Sequence, residues 1–178
     1  MIKVKVSHIP DDGELQEKGL SLGLDEIGLG EPYLGPAIGL SYRLQKIHGK
    51  ILGNFEVSGT MGLECSRCLL HFEAPAKAKF LVEFEKEPES ADPRNGIDPE
   101  APELNVVFFS GDQIEFGEEI RQEMEVLVPF APLCKEGCKG LCGICGANRN
   151  EADCGCESGQ KNNPFQGLNQ LFQQNKEN

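Results

Sequence analysis

Eight cysteines carry most of the chemistry open to this 178-residue chain. Two stand mid-chain in Cys65-Ser-Arg-Cys68, and six follow closely at Cys134, Cys138, Cys142, Cys145, Cys154 and Cys156. A structural zinc site takes four ligands at the corners of a tetrahedron, and a CxxC turn puts two thiolates on one side of the ion. The cysteines fall into four close pairs, each supplying half a site, so two four-cysteine sites use them all. Gly146 directly follows Cys145, as a knuckle needs where backbone amides turn toward sulfur. Intact pairs can be matched in three ways. Nearness in the chain puts Cys142, Cys145, Cys154 and Cys156 together first. That leaves Cys65 and Cys68 with Cys134 and Cys138, a site that would join the downstream cluster to CSRC. The alternative couples the two CxxC knuckles, and spacing does not decide between them.

Other sulfur chemistry fits less well. Cys138, Cys142 and Cys145 match the CxxxCxxC spacing of radical S-adenosylmethionine enzymes, but no βα repeats precede them to build a barrel. Other iron–sulfur ligation remains an alternative to zinc. A thioredoxin-like CxxC opens a helix after a strand, whereas this one is expected between two strands. A zinc hydrolase needs an open coordination position and a nearby base. His8, His48 and His71 are expected at surfaces or turns, so closed, structural sites are the better fit.

The N-terminus has no apolar h-region, and no apolar run approaches the ~20 residues that span a bilayer. The expectation is a cytoplasmic protein, where reductants keep thiols open and dense cysteines serve metals or catalysis rather than disulfides.

The elements that must position these sulfurs are mostly strands. Twenty-one glycines and eleven prolines point to many turns. Residues 2–8 alternate and end at Pro10-Asp-Asp-Gly13, a strand and a turn. Residues 19–36 are glycine-spaced, and short extended pieces are expected there. Ile38, Leu40, Tyr42 and Leu44 share one face of the next strand, which turns at His48-Gly49-Lys50. Ile51, Phe55, Val57, Met61, Leu63 and Cys65 then alternate, with Gly53 and Gly59 suggesting bends or bulges. A return strand carries Phe80, Val82 and Phe84 on its inner face. Residues 38–85 thus form an antiparallel meander with CSRC at a hairpin tip.

Residues 85–103 are acidic and proline-rich, a surface loop that could dock a basic partner. Residues 104–109 form a short strand. Phe116, Ile120, Met124 and Leu127 have helical spacing, and Pro129 stops that helix. Near the C-terminus, Asn163 and Pro164 open an amphipathic helix with Phe165, Leu168 and Phe172 along one side. The expected fold is α+β: an antiparallel meander or partly open, barrel-like sheet, one or two helices, and a C-terminal cysteine-rich zinc module. The expected division is an acidic β body over 1–128, a zinc module over 129–161 and a terminal helix or tail over 162–178. The module has few large apolar residues, so one or two structural zinc ions would have to supply its folding free energy.

The net charge of −12 is unevenly spread. Residues 1–128 hold 12 basic and 24 acidic side chains, and residues 129–178 hold five of each. An acidic body repels phosphate backbones and attracts basic partners.

Several motifs occur in a recognisable order. Leu63-Glu-Cys65-Ser-Arg-Cys68-Leu69 is followed by the acidic helix ending at Val128-Pro129 and by Pro132-Leu133-Cys134. Then come Cys138-Lys-Gly-Leu-Cys142-x-x-Cys145-Gly146-x-Asn148-x-Asn150, Cys154-x-Cys156 and Asn163-Pro164-Phe165 with Leu168 and Leu171. From about residue 36 to 174 the chain resembles the YceD family, the large ribosomal RNA subunit accumulation proteins. The resemblance implies a protein needed for normal levels of large-subunit ribosomal RNA, with no enzymatic activity attached. Some relatives keep the CxRC pair without the downstream cluster, which implies that zinc is scaffolding.

Three functions follow in order. The first is a non-enzymatic ribosome-assembly or RNA-stability factor whose acidic body receives a basic ribosomal protein or assembly factor. The second is a zinc-ribbon protein binding large-subunit RNA directly through Arg67, Lys135, Lys139 and Arg149, with Lys161. Two all-cysteine cages would set eight thiolates against two dications, and no aromatic between Phe130 and Phe165 offers base stacking. The third is a thiol-redox or iron–sulfur protein.

Overall fold

The computed structural model describes residues 2–87 and 105–156. The chain forms two compact units, Met1–Cys65 with Leu70–Cys134, and Ser66–Leu69 with Lys135–Asn178. The expected acidic loop, apart from its first residues, and the expected C-terminal helix lie outside the described residues, as does Lys161.

The first unit is built on an open five-stranded sheet. Its strands are β2 (Glu14–Gly23), β3 (Tyr33–Ile47), β4 (Lys50–Glu64), β5 (His71–Lys86) and β6 (Asn105–Phe109), in that spatial order. Strands β2 to β5 pair antiparallel, and β6 adds to β5 in parallel. The sheet is not closed, with β2 and β6 at its edges. A two-stranded ribbon joins β1 (Lys3–Lys5) to β7 (Gln113–Glu115), bringing Lys3 opposite Glu115. Among the described residues two helices complete it: α1 (Leu24–Ile27) and α2 (Gly117–Val126). Among the described residues no helix is long and apolar enough to cross a membrane.

Side-chain alternation produces the sheet, because period-2 patterning puts one face on the core. Ile38, Leu40, Tyr42 and Leu44 of β3 are buried, as are Ile51, Phe55, Val57, Met61 and Leu63 of β4. On β5, Val82 and Phe84 are fully buried and Phe80 is half-buried. The β3–β4 turn is His48-Gly49, with φ of 51° and 83°. Two positive φ values give the two-residue turn whose twist matches that of paired strands. Phe116, just before α2, and Ile120 and Met124 on it close over this face with no exposed surface. The Phe116 ring lies 4.8 Å from Phe55 and 5.2 Å from Tyr42.

Three local expectations resolve differently. The N-terminal strand stops at Lys5, and Val6–His8 form a 3₁₀ turn. The Asp112 carboxylate holds that turn, accepting from Ser7 N–H at 3.1 Å and Ser7 Oγ at 2.8 Å. Residues 19–36 contain α1 as well as strand. Gly53 makes no bulge, since β4 and β5 stay in register throughout. It is there for space: a Cβ would sit 2.6 Å from the Phe55 ring and 3.1 Å from Phe84. A register shift does occur on the β3 side, between Leu34 and Gly39, opposite Gly59.

The two tyrosines are the chain's only ones, and there is no tryptophan. Burial pushes the Tyr42 phenol up to about 12, and the neighbouring Glu17 adds to the shift. Burial, then Glu125, also raises Tyr33, whose hydroxyl donates to Met124 O. A phenol raised in the folded state stabilises the fold fully below its unfolded value of about 10, and that contribution is lost as pH rises through the folded value. Ultraviolet titration of the native protein should therefore show less tyrosinate at pH 10 than the denatured protein does. Denatured protein at the same pH should show about half of its tyrosine ionised. Equal signals from the two would contradict the burial.

Candidate metal centres

Strand β4 sets the position of Cys65. Its odd-numbered residues face the core, and Cys65 follows in phase with no exposed surface. The tip closes as Cys65 N–H donates to Leu70 O at 2.9 Å. Leu69 takes the left-handed region at φ 57°, completing the turn, and Cys68 is buried.

Within the second unit, residues 140–149 fold back on themselves. Leu141 and Asn148 form an antiparallel bridge. Cys142 N–H donates to Ala147 O at 2.8 Å, Gly146 N–H to Cys142 O at 2.9 Å and Arg149 N–H to Gly140 O at 3.0 Å. This is a knuckle of the kind expected at Cys142–Gly146. Ser66–Leu69 of the tip belong to the same unit. Leu141 N–H donates to Arg67 O, and Arg67 Nη1 donates to Cys138 O, each at 3.0 Å. Gly140 has φ 71°, and a Cβ there would lie 3.0 Å from Arg67 O. Only glycine combines that backbone conformation with so close an approach.

The sulfurs gather in two sets of four: Cys65, Cys68, Cys134 and Cys138, and Cys142, Cys145, Cys154 and Cys156. This is the grouping that nearness in the chain puts first. Within each set the ligand atoms all lie within 4.8 Å of one another. Four sulfurs each ~2.3 Å from a central zinc, at tetrahedral corners, are about 3.8 Å apart, so each set could hold such an ion. In the first set Cys65, Cys68 and Cys138 are buried and Cys134 half-buried, whereas in the second Cys145 is exposed. An all-thiolate donor set is soft, suiting zinc or iron–sulfur chemistry rather than magnesium or calcium. Among the described residues no histidine joins either set.

The local fields bear on the second set. Backbone N–H groups of Cys145 and then Ile144, with the Cys154 side chain, draw the Cys142 thiol down to about 6. Hydrogen bonds with Cys145 and Cys154 push Cys156 up to about 12, with burial adding to the shift. Four converging sulfurs cannot all ionise alone, whereas a dication among them deprotonates its thiol ligands outright.

Two residues had no role in the sequence reading beyond their place in the motif. Asn150 Nδ2 donates to Cys138 Sγ at 3.3 Å, and its Oδ1 accepts from Lys139 N–H at 2.9 Å. Asn148 Oδ1 accepts from Asn150 N–H at 3.1 Å and Asn150 Nδ2 at 2.9 Å. The signal was the asparagine pair just after a CxxCG knuckle, where side-chain amides commonly bind backbone. Of the basic residues considered for RNA, Arg67 spends its guanidinium on Cys138 O. Lys135, Lys139 and Arg149 are exposed.

The family model described as Large ribosomal RNA subunit accumulation protein YceD matches residues 53–172, two thirds of the chain. The chain belongs to the YceD family. The YceD match begins within β4 and takes in all eight cysteines. The YceD name ties the family to accumulation of large-subunit ribosomal RNA. Comparison with curated proteins and with solved structures gave no significant match.

Proposed function

We propose that this YceD protein is a cytoplasmic, non-enzymatic factor in large-subunit assembly or ribosomal RNA stability. In this reading all eight cysteines bind structural zinc, one ion per set, and the acidic body receives a basic ribosomal protein or assembly factor. The cysteine-rich region acts as a module that zinc folds.

The observation that carries this reading is where the acidity concentrates. All of the net charge of −12 comes from residues 1–128. Within the first unit, a groove is lined by Glu26, Glu115, Glu118 and Glu119, beside Ile27 and Phe108. Phe108 is 59% exposed. Glu118 pairs with Arg121 and Glu115 with Lys3, but among the described residues no ion pair holds Glu26 or Glu119. Burial, and then neighbouring Glu118, raise the Glu119 carboxyl above the usual range. The charge of a lysine or arginine entering the groove would offset both effects, and an apolar side chain could cover Phe108. Complementary charge of this kind speeds association and selects partners.

The test is capture of purified basic ribosomal proteins at increasing salt. Binding should weaken as salt screens the groove. The Glu26→Lys/Glu119→Lys variant should lose about tenfold in affinity at low salt, mainly through slower association. Salt-insensitive capture that the variant leaves unchanged would count against this reading.

Direct RNA binding is second, supported by the exposed Lys135, Lys139 and Arg149. Gel shifts with large-subunit RNA fragments test it. Binding unchanged in the triple alanine variant would remove it.

A further inference from the structure

Asn150 belongs in the chain to one sulfur set and reaches the other. It lies between Cys145 and Cys154 of the second set, yet its side chain reaches Cys138 of the first. The network fixes its orientation. Lys139 N–H can bond only to the amide oxygen, so the nitrogen must face sulfur. The other amide proton goes to Asn148 Oδ1. An N–H aimed at a ligand sulfur fixes the orientation of that ligand, as outer partners of metal ligands do.

Asn150 is itself held by the turn around Asn148. That turn is tied to the knuckle by the Leu141–Asn148 bridge, and Asn148 O accepts from Glu151 N–H and Ala152 N–H at 3.1 and 3.2 Å. A metal on the second set would join Cys142 and Cys145 to Cys154 and Cys156, closing the loop 146–153 that carries both asparagines. Closing a loop removes much of the entropy cost of holding any residue within it.

We propose that Asn150 is a positioning residue for the Cys65/Cys68/Cys134/Cys138 site, and that through it metal in the second site tightens metal binding in the first. This rests on the metal reading of both sets. Closing the second site orders the 148–150 turn, which delivers the amide to Cys138 Sγ. Linkage makes the effect mutual: metal in the first site tightens the second by the same factor.

The experiment is titration of Co²⁺ into the reduced, metal-stripped full chain against a competing chelator, followed by the visible bands of tetrahedral cobalt thiolate. Wild type should take two ions cooperatively. In Asn150→Asp the carboxylate can still accept from Lys139 N–H, so much of the turn survives, but an oxygen faces the thiolate. First-site affinity should fall by about 10- to 100-fold, the usual scale for residues that support a metal ligand, and the thiolate-to-cobalt band should shift. Cys154→Ser/Cys156→Ser should weaken the first site by a similar factor in wild type and by little in Asn150→Asp, the non-additivity expected of coupled residues. First-site affinity and band unchanged in Asn150→Asp would overturn the proposal with the metal reading intact. A wild type that binds no cobalt would overturn both.

Discussion

Metal removal by a strong chelator at neutral pH is expected to unfold the second unit while leaving the five-stranded sheet folded. The difference lies in what each part buries. The apolar core is built from residues between Val4 and Met124. In the described part of the second unit, only Cys68 and Cys138 are buried among the hydrophobic side chains. Its backbone bonds, such as Cys142 to Ala147 and Arg149 to Gly140, each contribute only about 1 kcal/mol net. That cannot offset the ~1–2 kcal/mol per residue of backbone entropy lost on ordering. Structural zinc supplies roughly 10–16 kcal/mol in finger peptides, enough to reverse the balance. Hydrogen exchange would read this residue by residue. Without metal, the amides of Leu141, Cys142, Gly146 and Arg149 should lose protection, while those pairing β3, β4 and β5 should keep it. Protection at both places in fully stripped protein would end the metal reading.

Phe116→Ala should be the most damaging single core substitution. Phe116 is fully buried, with ring centroids at 4.8 Å from Phe55, 5.2 Å from Tyr42 and 6.4 Å from Phe84. It also sits at the N-cap of α2, which has no side-chain cap. The packed ring, rather than a capping hydroxyl or carboxylate, locates the start of this helix. Deleting a buried ring costs ~3–5 kcal/mol because the cavity collapses only partly, a large share of a total stability of ~5–15 kcal/mol. Thermal unfolding should move down by about 10–15 °C. Phe80→Ala is the comparison: Phe80 stacks on Phe55 at 5.1 Å but is only half-buried, so its loss should cost clearly less. Equal costs would mean that burial does not set the ranking.

The parts of the fold legible in the sequence are those whose residues signal on their own. Tyr42, Phe55 and Phe84 alternate with polar neighbours because one sheet face is buried, and that pattern survives without any knowledge of partners. Ile120 and Met124 mark α2 in the same way. Long-range pairings carry no such mark. Nothing in Asn105–Phe109 says that it joins β5 in parallel, nor in Lys3–Lys5 that it meets β7. Gly53 was misread because a bulge and a close ring contact both ask for the same missing side chain. At the sulfur sets, spacing shows the pairs but not which distant pair completes which, and chain proximity happened to favour the grouping found. The contact of Asn150 with Cys138 leaves no mark in the sequence, since any asparagine near a turn has many possible partners.

The first sulfur set is divided by a long stretch of chain, with 65 residues between Cys68 and Cys134. Translation adds roughly 5–20 residues per second, so the Cys65/Cys68 half emerges roughly 3–13 s before its other half. If that set holds a metal as proposed, the newborn chain for that interval would present two of its four ligands. On that reading a nascent β4–β5 hairpin would meet oxidants and competing metals before its own site is complete, and speed of synthesis would become part of how faithfully that site is filled.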